Sequence, residues 1–189
     1  MDIVTRAKNM IMSPAAEWPT VAAEPSSVAS LYQGYIAPLS AIPPLATLIG
    51  TIIFYHFGFG GALLLAIVSY VLGLIGVYVI GFIAAKLSPM FGGTDNMEAG
   101  LKLVAYGSTA AWVGGVFHII PAIGFLSALA AIYGIYLYYT GIAPVMNVPT
   151  GKVIGYLIAL IVAVIIVFFV IAFIVGLIVG GSMMGMGMM

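Results

Sequence analysis

From Val153 to Val179 the chain carries no charged residue, and this run constrains its fold more than any other feature. A helix rises 1.5 Å per residue, so about 20 apolar residues cross the roughly 30 Å hydrocarbon core of a bilayer. The run is longer than that and is expected to tilt or to emerge into the headgroups. Four earlier segments also qualify as spans: Leu31 to Tyr55, Ala62 to Ala85, Leu101 to Phe117 and Ile123 to Ile142. The stretch HIIPAIG joins the third to the fourth, which predicts a tight hairpin with Pro121 near a helix start. The expected fold is all-α, a polytopic membrane bundle of five transmembrane helices.

Composition agrees. Charged residues make up 5% of the chain and apolar residues 64%, against about 25% charged in an ordinary soluble domain. Mean hydropathy is +1.28. The net charge of zero offers no basic surface for nucleic acid. The absence of cysteine excludes disulfides, thiolate metal sites and a cysteine nucleophile. Residues 1–32 lack the basic region, short apolar core and small-residue cleavage site of a secretory signal, so no processing is expected.

Lys and Arg accumulate on the cytoplasmic side of membrane proteins. With the N-terminus inside, Arg6, Lys8, Lys86, Lys102 and Lys152 are all cytoplasmic, and the outer loops and C-terminal tail carry no cation. Tyr136, Tyr138 and Tyr139 would form an inner aromatic belt, with Tyr55, His56 and Phe57 at the outer face. The expected protein is an integral multi-pass membrane protein with its N-terminus cytoplasmic and its C-terminus outside.

Ahead of the first span, Ile3, Val4, Ala7, Met10 and Ile11 recur at helical spacing. Asp2, Arg6 and Lys8 lie away from much of that face, which predicts an N-terminal amphipathic helix in the cytoplasmic interface. Ser13 can cap a following helix with Pro14 at its first position, and Trp18 suits a headgroup-level anchor. The chain divides into an interfacial segment 1–30, a membrane domain 31–179 and a flexible Gly/Met-rich tail 180–189.

Four stretches together resemble one family. They are SPAAEWPTVAAEP before the first span, YIAPLSAIPPLA within it, KLSPMFGGTDNMEAGLKLVAYGSTAAW across the second connection, and GIAPVMNVPTGKVIGY entering the fifth span. In order and spacing they resemble the Ypt/Rab-interacting (YIP) membrane proteins over nearly the whole chain. The resemblance implies five spans, a cytoplasmic N-terminus and membrane partners, which in eukaryotes include small prenylated GTPases. Eukaryotic members carry a longer cytoplasmic N-terminal region than residues 1–30, which tells against a GTPase partner here and for a short prokaryotic relative.

Pro38, Pro43 and Pro44 each remove a backbone donor from the first span. In hydrocarbon the freed carbonyls need other donors, and Ser40 and Thr47 are close by in sequence. The prolines either make a buried kink or break the helix beside a cavity, as in transporters. Such a cavity would face Tyr106, Ser108, Thr109 and Trp112 of the third span, with His118 as a candidate at its outer end.

Small residues recur at intervals of four, which lets helix backbones approach closely. Gly107, Ala111 and Gly115 do so on the third span, and Gly151, Gly155, Ala159 and Ala163 on the fifth, as a packing or homo-oligomer interface. In the tail, Met183, Met184, Met186, Met188 and Met189 are weak candidates for a thioether metal site, although the same composition suits an apolar terminus, and no cofactor is expected.

Between the second and third spans, Asp95 can cap the third helix with Glu98 completing a capping box, and Lys102 can pair with Glu98 one turn on. Lys86 suits the end of the second helix and Gly92 and Gly93 the turn, so with Phe91 the corner reads as a cytoplasmic docking surface. Carboxylates inside and histidines outside are separated by the bilayer, and the common catalytic motifs are absent, so no enzyme is expected. The leading expectation is a noncatalytic protein that organises membranes or binds lipids, other membrane proteins or itself. The alternative is a transporter or lipid-translocating protein that uses a cavity beside the proline-broken first span.

Overall fold

The computed structural model describes residues 2–55 and 58–186, with side chains to residue 178. Every regular element among them is helical. The chain opens with α1 (Ile3–Met12) and α2 (Pro14–Ala23). Asp2 caps α1 by accepting from the Val4 and Thr5 amides, and the Thr5 bond above all holds its carboxyl below the usual range. Pro14 is the first residue of α2 as expected, whereas the Ser13 side chain makes no capping bond.

The next membrane-length segment, Val28–Tyr55, is not one regular helix. It comprises α3 (Val28–Leu31), a π turn at Tyr32–Ile36, α4 (Ala37–Ser40) and α5 (Ile42–Tyr55). The irregularity surrounds the prolines. The Ala37 carbonyl accepts from Ser40 Oγ at 3.4 Å and from the Tyr70 hydroxyl of the next helix at 3.0 Å. One expected local donor, Ser40, is therefore joined by a tyrosine from a neighbouring helix, since hydrocarbon offers no water to a free carbonyl.

After α5 come α6 (Phe59–Leu87), α7 (Met97–Gly107), α8 (Thr109–Gly114), α9 (Phe125–Met146) and α10 (Val153–Met186). Helical stretches Val28–Tyr55, Phe59–Phe91, Pro121–Met146 and Thr150–Ile178 are each long and apolar enough to cross a membrane, as expected of a multi-pass membrane protein. The segment read as the third span behaves differently. Its α-helix ends at Gly107, restarts at Thr109, and tightens into a 3-10 stretch over Gly115–Ile119. Hydroxyls compete for its carbonyls: Thr109 Oγ1 donates to Tyr106 O at 2.7 Å and Tyr138 OH to Val104 O at 3.4 Å.

This broken segment is the centre of the fold. All residues from Leu101 to Gly107 are buried, packed between α6 and α9. Approach to α6 is close enough that a Cβ at Gly81 would come within 3.1 Å of the Leu101 backbone. Elsewhere the helices present Leu45, Ile67, Ile75, Leu129, Ile158, Phe169 and Phe173 outward, as lipid requires. Tyrosines tie the bundle together, with Tyr32 OH donating to Leu74 O and Tyr156 OH to Ala84 O, both at 2.7 Å.

The N-terminal helices depart most from expectation. Arg6 is buried beside Ala7 and Met10, while Val4, assigned to the apolar face, is 70% exposed. Trp18 is fully buried rather than an anchor among headgroups. Its indole donates to Thr140 Oγ1 at 3.1 Å and meets the Tyr106 ring edge-on at 6.4 Å. The reason is that α1 and α2 pack along α7, α8 and α9, with Tyr133 OH of α9 donating to Ile11 O at 2.7 Å, so protein rather than lipid covers their inner face.

Candidate functional site

The polar residues that the N-terminal helices bring inward form one connected cluster. Arg6 Nη1 donates to Glu17 Oε1 at 2.5 Å, its Nη2 bonds Glu24, and Asn9 donates to Glu17 Oε2 at 3.1 Å. The guanidinium carbon lies 5.9 Å from the Tyr106 ring centroid. Burial works to lower the Arg6 pKa, but the hydrogen bond and charge of Glu24, with the charge of Glu17, outweigh it and raise the pKa.

Lys102 reaches the same cluster from α7 by donating to the carbonyls of Glu24 and Ala22. The expected Lys102–Glu98 ion pair does not form, because the backbone end of α2 lies within reach of the ammonium and Glu98 points to solvent. Around this cluster is a cavity of about 180 Å³ whose wall includes Arg6, Glu24, Ser26, Ser30, Tyr35, Lys102 and Tyr106.

A second cavity of about 230 Å³ lies at the far end of the Val28–Tyr55 segment, lined by Thr47, Gly50, Thr51, Tyr55, His118, Pro121 and Gly124. The residues proposed to share one cavity are thus divided. Tyr106 belongs to the first cavity and exposed His118 to the second. Between them Thr109 bonds the Tyr35 hydroxyl at 2.7 Å, and Ser108 bonds that of Tyr138 at 2.8 Å. Pro43 packs against Gly115, where a Cβ would come within 2.5 Å of its ring. Pro38 is exposed, and Pro44 and Trp112 are half-buried.

The small-residue stripes also divide. Gly107 receives the Tyr138 ring and Gly115 receives Pro43, both within the chain, while Ala111 is half-buried. On α10 the buried face is made of Val153, Tyr156, Leu157 and Leu160 instead. Gly151 meets nothing within 4 Å, Gly155 faces Phe91, and Ala159 and Ala163 are half-buried.

At the α6–α7 corner, Asn96 rather than Asp95 caps α7, accepting from the Ala99 amide at 3.0 Å. Asp95 is free for Lys86, whose Nζ lies 2.6 Å away, so the cap shifts by one residue. Gly92 takes a left-handed φ of 83°, which glycine adopts without strain. The Thr94 amide donates to Met146 O at 3.1 Å, Gly93 sits against the same carbonyl, and Phe91 meets Tyr156 edge-on at 5.7 Å. These contacts hold the α6–α7 and α9–α10 connections together at one end of the bundle.

Among the described residues no group of His, Cys, Asp and Glu could hold a metal. Met188 and Met189 lie outside the described residues, as do His56 and Phe57 and the side chains of Met183, Met184 and Met186. The cluster built on Arg6, Glu17 and Glu24 was not among the sequence candidates. Its signal was present: in a chain with five acidic residues, three, Asp2, Glu17 and Glu24, stand within eighteen positions of a lone arginine.

No curated protein and no solved structure matches this chain. The family model described as the Yip1 domain matches residues 8–187, which takes in α2, every membrane-length helix, the buried α7 and the corner at Gly92. The resemblance read from the four sequence stretches is thereby matched across nearly the whole chain, and the protein belongs to the Yip1 domain family.

Proposed function

We propose that this protein is a noncatalytic organiser that binds membrane partners, either lipids, other membrane proteins or a second copy, through its cytoplasmic end. The observation that carries the reading is the closure of α1 and α2 over the bundle. Arg6, Glu17, Glu24, Trp18 and Lys102 join them to α7 and α9, building one composite surface from four separate parts of the chain. Val4, Lys8 and Met12 of α1 are exposed on it, and Met90 is exposed at the α6–α7 corner. This surface suits docking, and nothing in the arrangement favours a small GTPase or nucleic acid.

The proposed topology has five crossings with the N-terminus cytoplasmic and the C-terminus outside, in a prokaryotic inner membrane. Support comes from the two ends of α7 and its continuation. Lys102 touches the N-terminal segment, whereas His118 joins Tyr55 and Gly124 at the far cavity, so the broken segment travels from one end of the bundle to the other. All five cations then lie at the cytoplasmic end.

To test the docking role, a photo-crosslinking residue is placed at Met90 or Met12 in native membranes, with Phe173 as a lipid-facing control. Discrete adducts at the first two sites and none at the control are expected. Equal labelling at all three would count against a docking end.

A lipid-translocating or transport role is the second reading, favoured by cavities at both ends of the proline-broken segment. The Tyr35–Thr109 contact lies between them. Dithionite quenching of labelled lipid in proteoliposomes decides it: quenching faster than in empty vesicles supports translocation.

A further inference from the structure

The cavity at the cytoplasmic end has an electrostatic feature that the fold does not satisfy. Lys102 is 8% exposed, and among the described residues no carboxylate lies within ion-pair reach of it. Its known partners are the carbonyls of Glu24 and Ala22, the latter at 3.5 Å. An ammonium carries three donors, and the carboxylates of Glu98 and Glu24 act on this one only through space, so a donor remains for a closer acceptor. Arg6 and Glu24, in the same wall, largely satisfy each other.

A second and independent observation points the same way. Ser26 Oγ is buried with no hydrogen-bond partner, and Ser26 lines this cavity. A buried orphan hydroxyl costs free energy unless something bonds it. The site thus brings a cation to the cavity, with an unpartnered hydroxyl closed off behind the same wall, and it suits an anionic occupant rich in acceptor oxygens.

Depth and size narrow the occupant. The wall includes Leu31 and Gly34, just inside the start of the membrane-length segment at Val28, together with Ile3 of α1. Its volume of about 180 Å³ is below the roughly 300–1,000 Å³ that encloses a whole drug-sized ligand. It therefore fits a headgroup whose acyl chains stay in the bilayer. We infer that this cavity binds the phosphate of an anionic phospholipid, with Lys102 as counter-charge.

The inference rests on the proposed membrane-partner reading only in placing this end among headgroups. Its test uses purified protein without partner proteins, so a failure here leaves the docking reading standing, and a failure of crosslinking leaves this one standing. Protein in detergent is titrated separately with phosphatidylglycerol, phosphatidylcholine, diacylglycerol and inorganic phosphate. Bound lipid is read by native mass spectrometry, and thermal stability is read for every ligand.

Two variants accompany the wild type. Lys102→Gln removes the charge while keeping donors for the Ala22 and Glu24 carbonyls. Gly34→Leu fills the cavity from a wall position where a Cβ meets nothing within 4 Å, leaving every charge in place. Phosphatidylglycerol is expected to bind most tightly and to be weakened roughly tenfold or more by each variant. If Lys102→Gln fails to fold, the Gly34→Leu result decides.

Inorganic phosphate that matches phosphatidylglycerol in stabilising the wild type, and loses that effect in the variants, would keep the phosphate site but make its source soluble. Diacylglycerol binding as well as phosphatidylglycerol, or variants that bind phosphatidylglycerol like the wild type, would overturn the assignment.

Discussion

The indole of Trp18 donates to the hydroxyl of Thr140, 3.1 Å away, across 122 positions of sequence. A residue suited to anchoring a helix among headgroups instead fastens the N-terminal segment to α9. Its six-membered ring lies so close to Gly141 that a Cβ there would come within 2.5 Å of it. Docking of α2 therefore depends on an aromatic ring, one hydroxyl and a missing side chain.

Trp18→Ala should destabilise the folded protein by about 3–5 kcal/mol, as truncation of a buried aromatic does. Trp18→Phe, which keeps most of the ring volume and loses the Thr140 bond, should cost about 1 kcal/mol for that bond. Denaturant unfolding in detergent measures both. Equal and negligible losses would return Trp18 to a lipid-facing position.

Arg6→Met leaves the Glu17 carboxylate, 10% exposed in its side chain, without its main counter-charge. Orphaning a buried charge costs about 3–5 kcal/mol. The double variant Arg6→Met with Glu17→Leu should be more stable than the single one, since the only carboxylate then left without Arg6 is the 44% exposed Glu24. Limited proteolysis between α1 and α2 reports the same order; a double variant cleaved faster than the single one would refute it.

Glycines with the same sequence spacing should behave oppositely. A Cβ at Gly107 would lie 2.8 Å from the Tyr138 ring, so Gly107→Leu should cost at least about 1–3 kcal/mol through overpacking. Gly151→Leu meets open space and should leave stability unchanged. Crosslinking of Gly155→Leu and Ala159→Leu in native membranes then tests a dimer contact on that face; an unchanged oligomer would place its interface elsewhere.

The Lys86–Asp95 pair should matter little. Its side chains are 56% and 43% exposed, and such pairs contribute about 0–1 kcal/mol. Lys86→Gln should melt within that margin of the wild type and become no more salt-sensitive. A larger loss would show that the corner is held by charge rather than by the Thr94–Met146 bond.

Topology can be read with single cysteines, because the native chain has none. With five crossings, Thr94 and Lys152 label from the side of Lys8, and Phe59 and Gly124 from the other. If the broken segment at Gly107–Thr109 turns back instead, Gly124 labels with Thr94.

The sequence by itself determined that this is an all-helical membrane chain, and it placed four long apolar helices to within a few residues. Those conclusions follow from length and hydropathy, which the bilayer imposes on any segment crossing it. It also determined the family, because the turn at Gly92, the prolines and the charges stand in a fixed order along the chain. Only the tertiary structure decided which apolar surfaces face protein. In lipid the solvent is as apolar as a core, so composition does not distinguish a buried Leu103 from an exposed Leu129. The same reason hid the N-terminal lock. Helical spacing marked an apolar face on α1 without saying what covers it, and the pairing of Arg6 with Glu17 and Glu24 exists only once α1 and α2 fold back on α7 and α9. The cap at Asn96, one residue beyond the expected Asp95, was decided likewise by Lys86 arriving from the preceding helix.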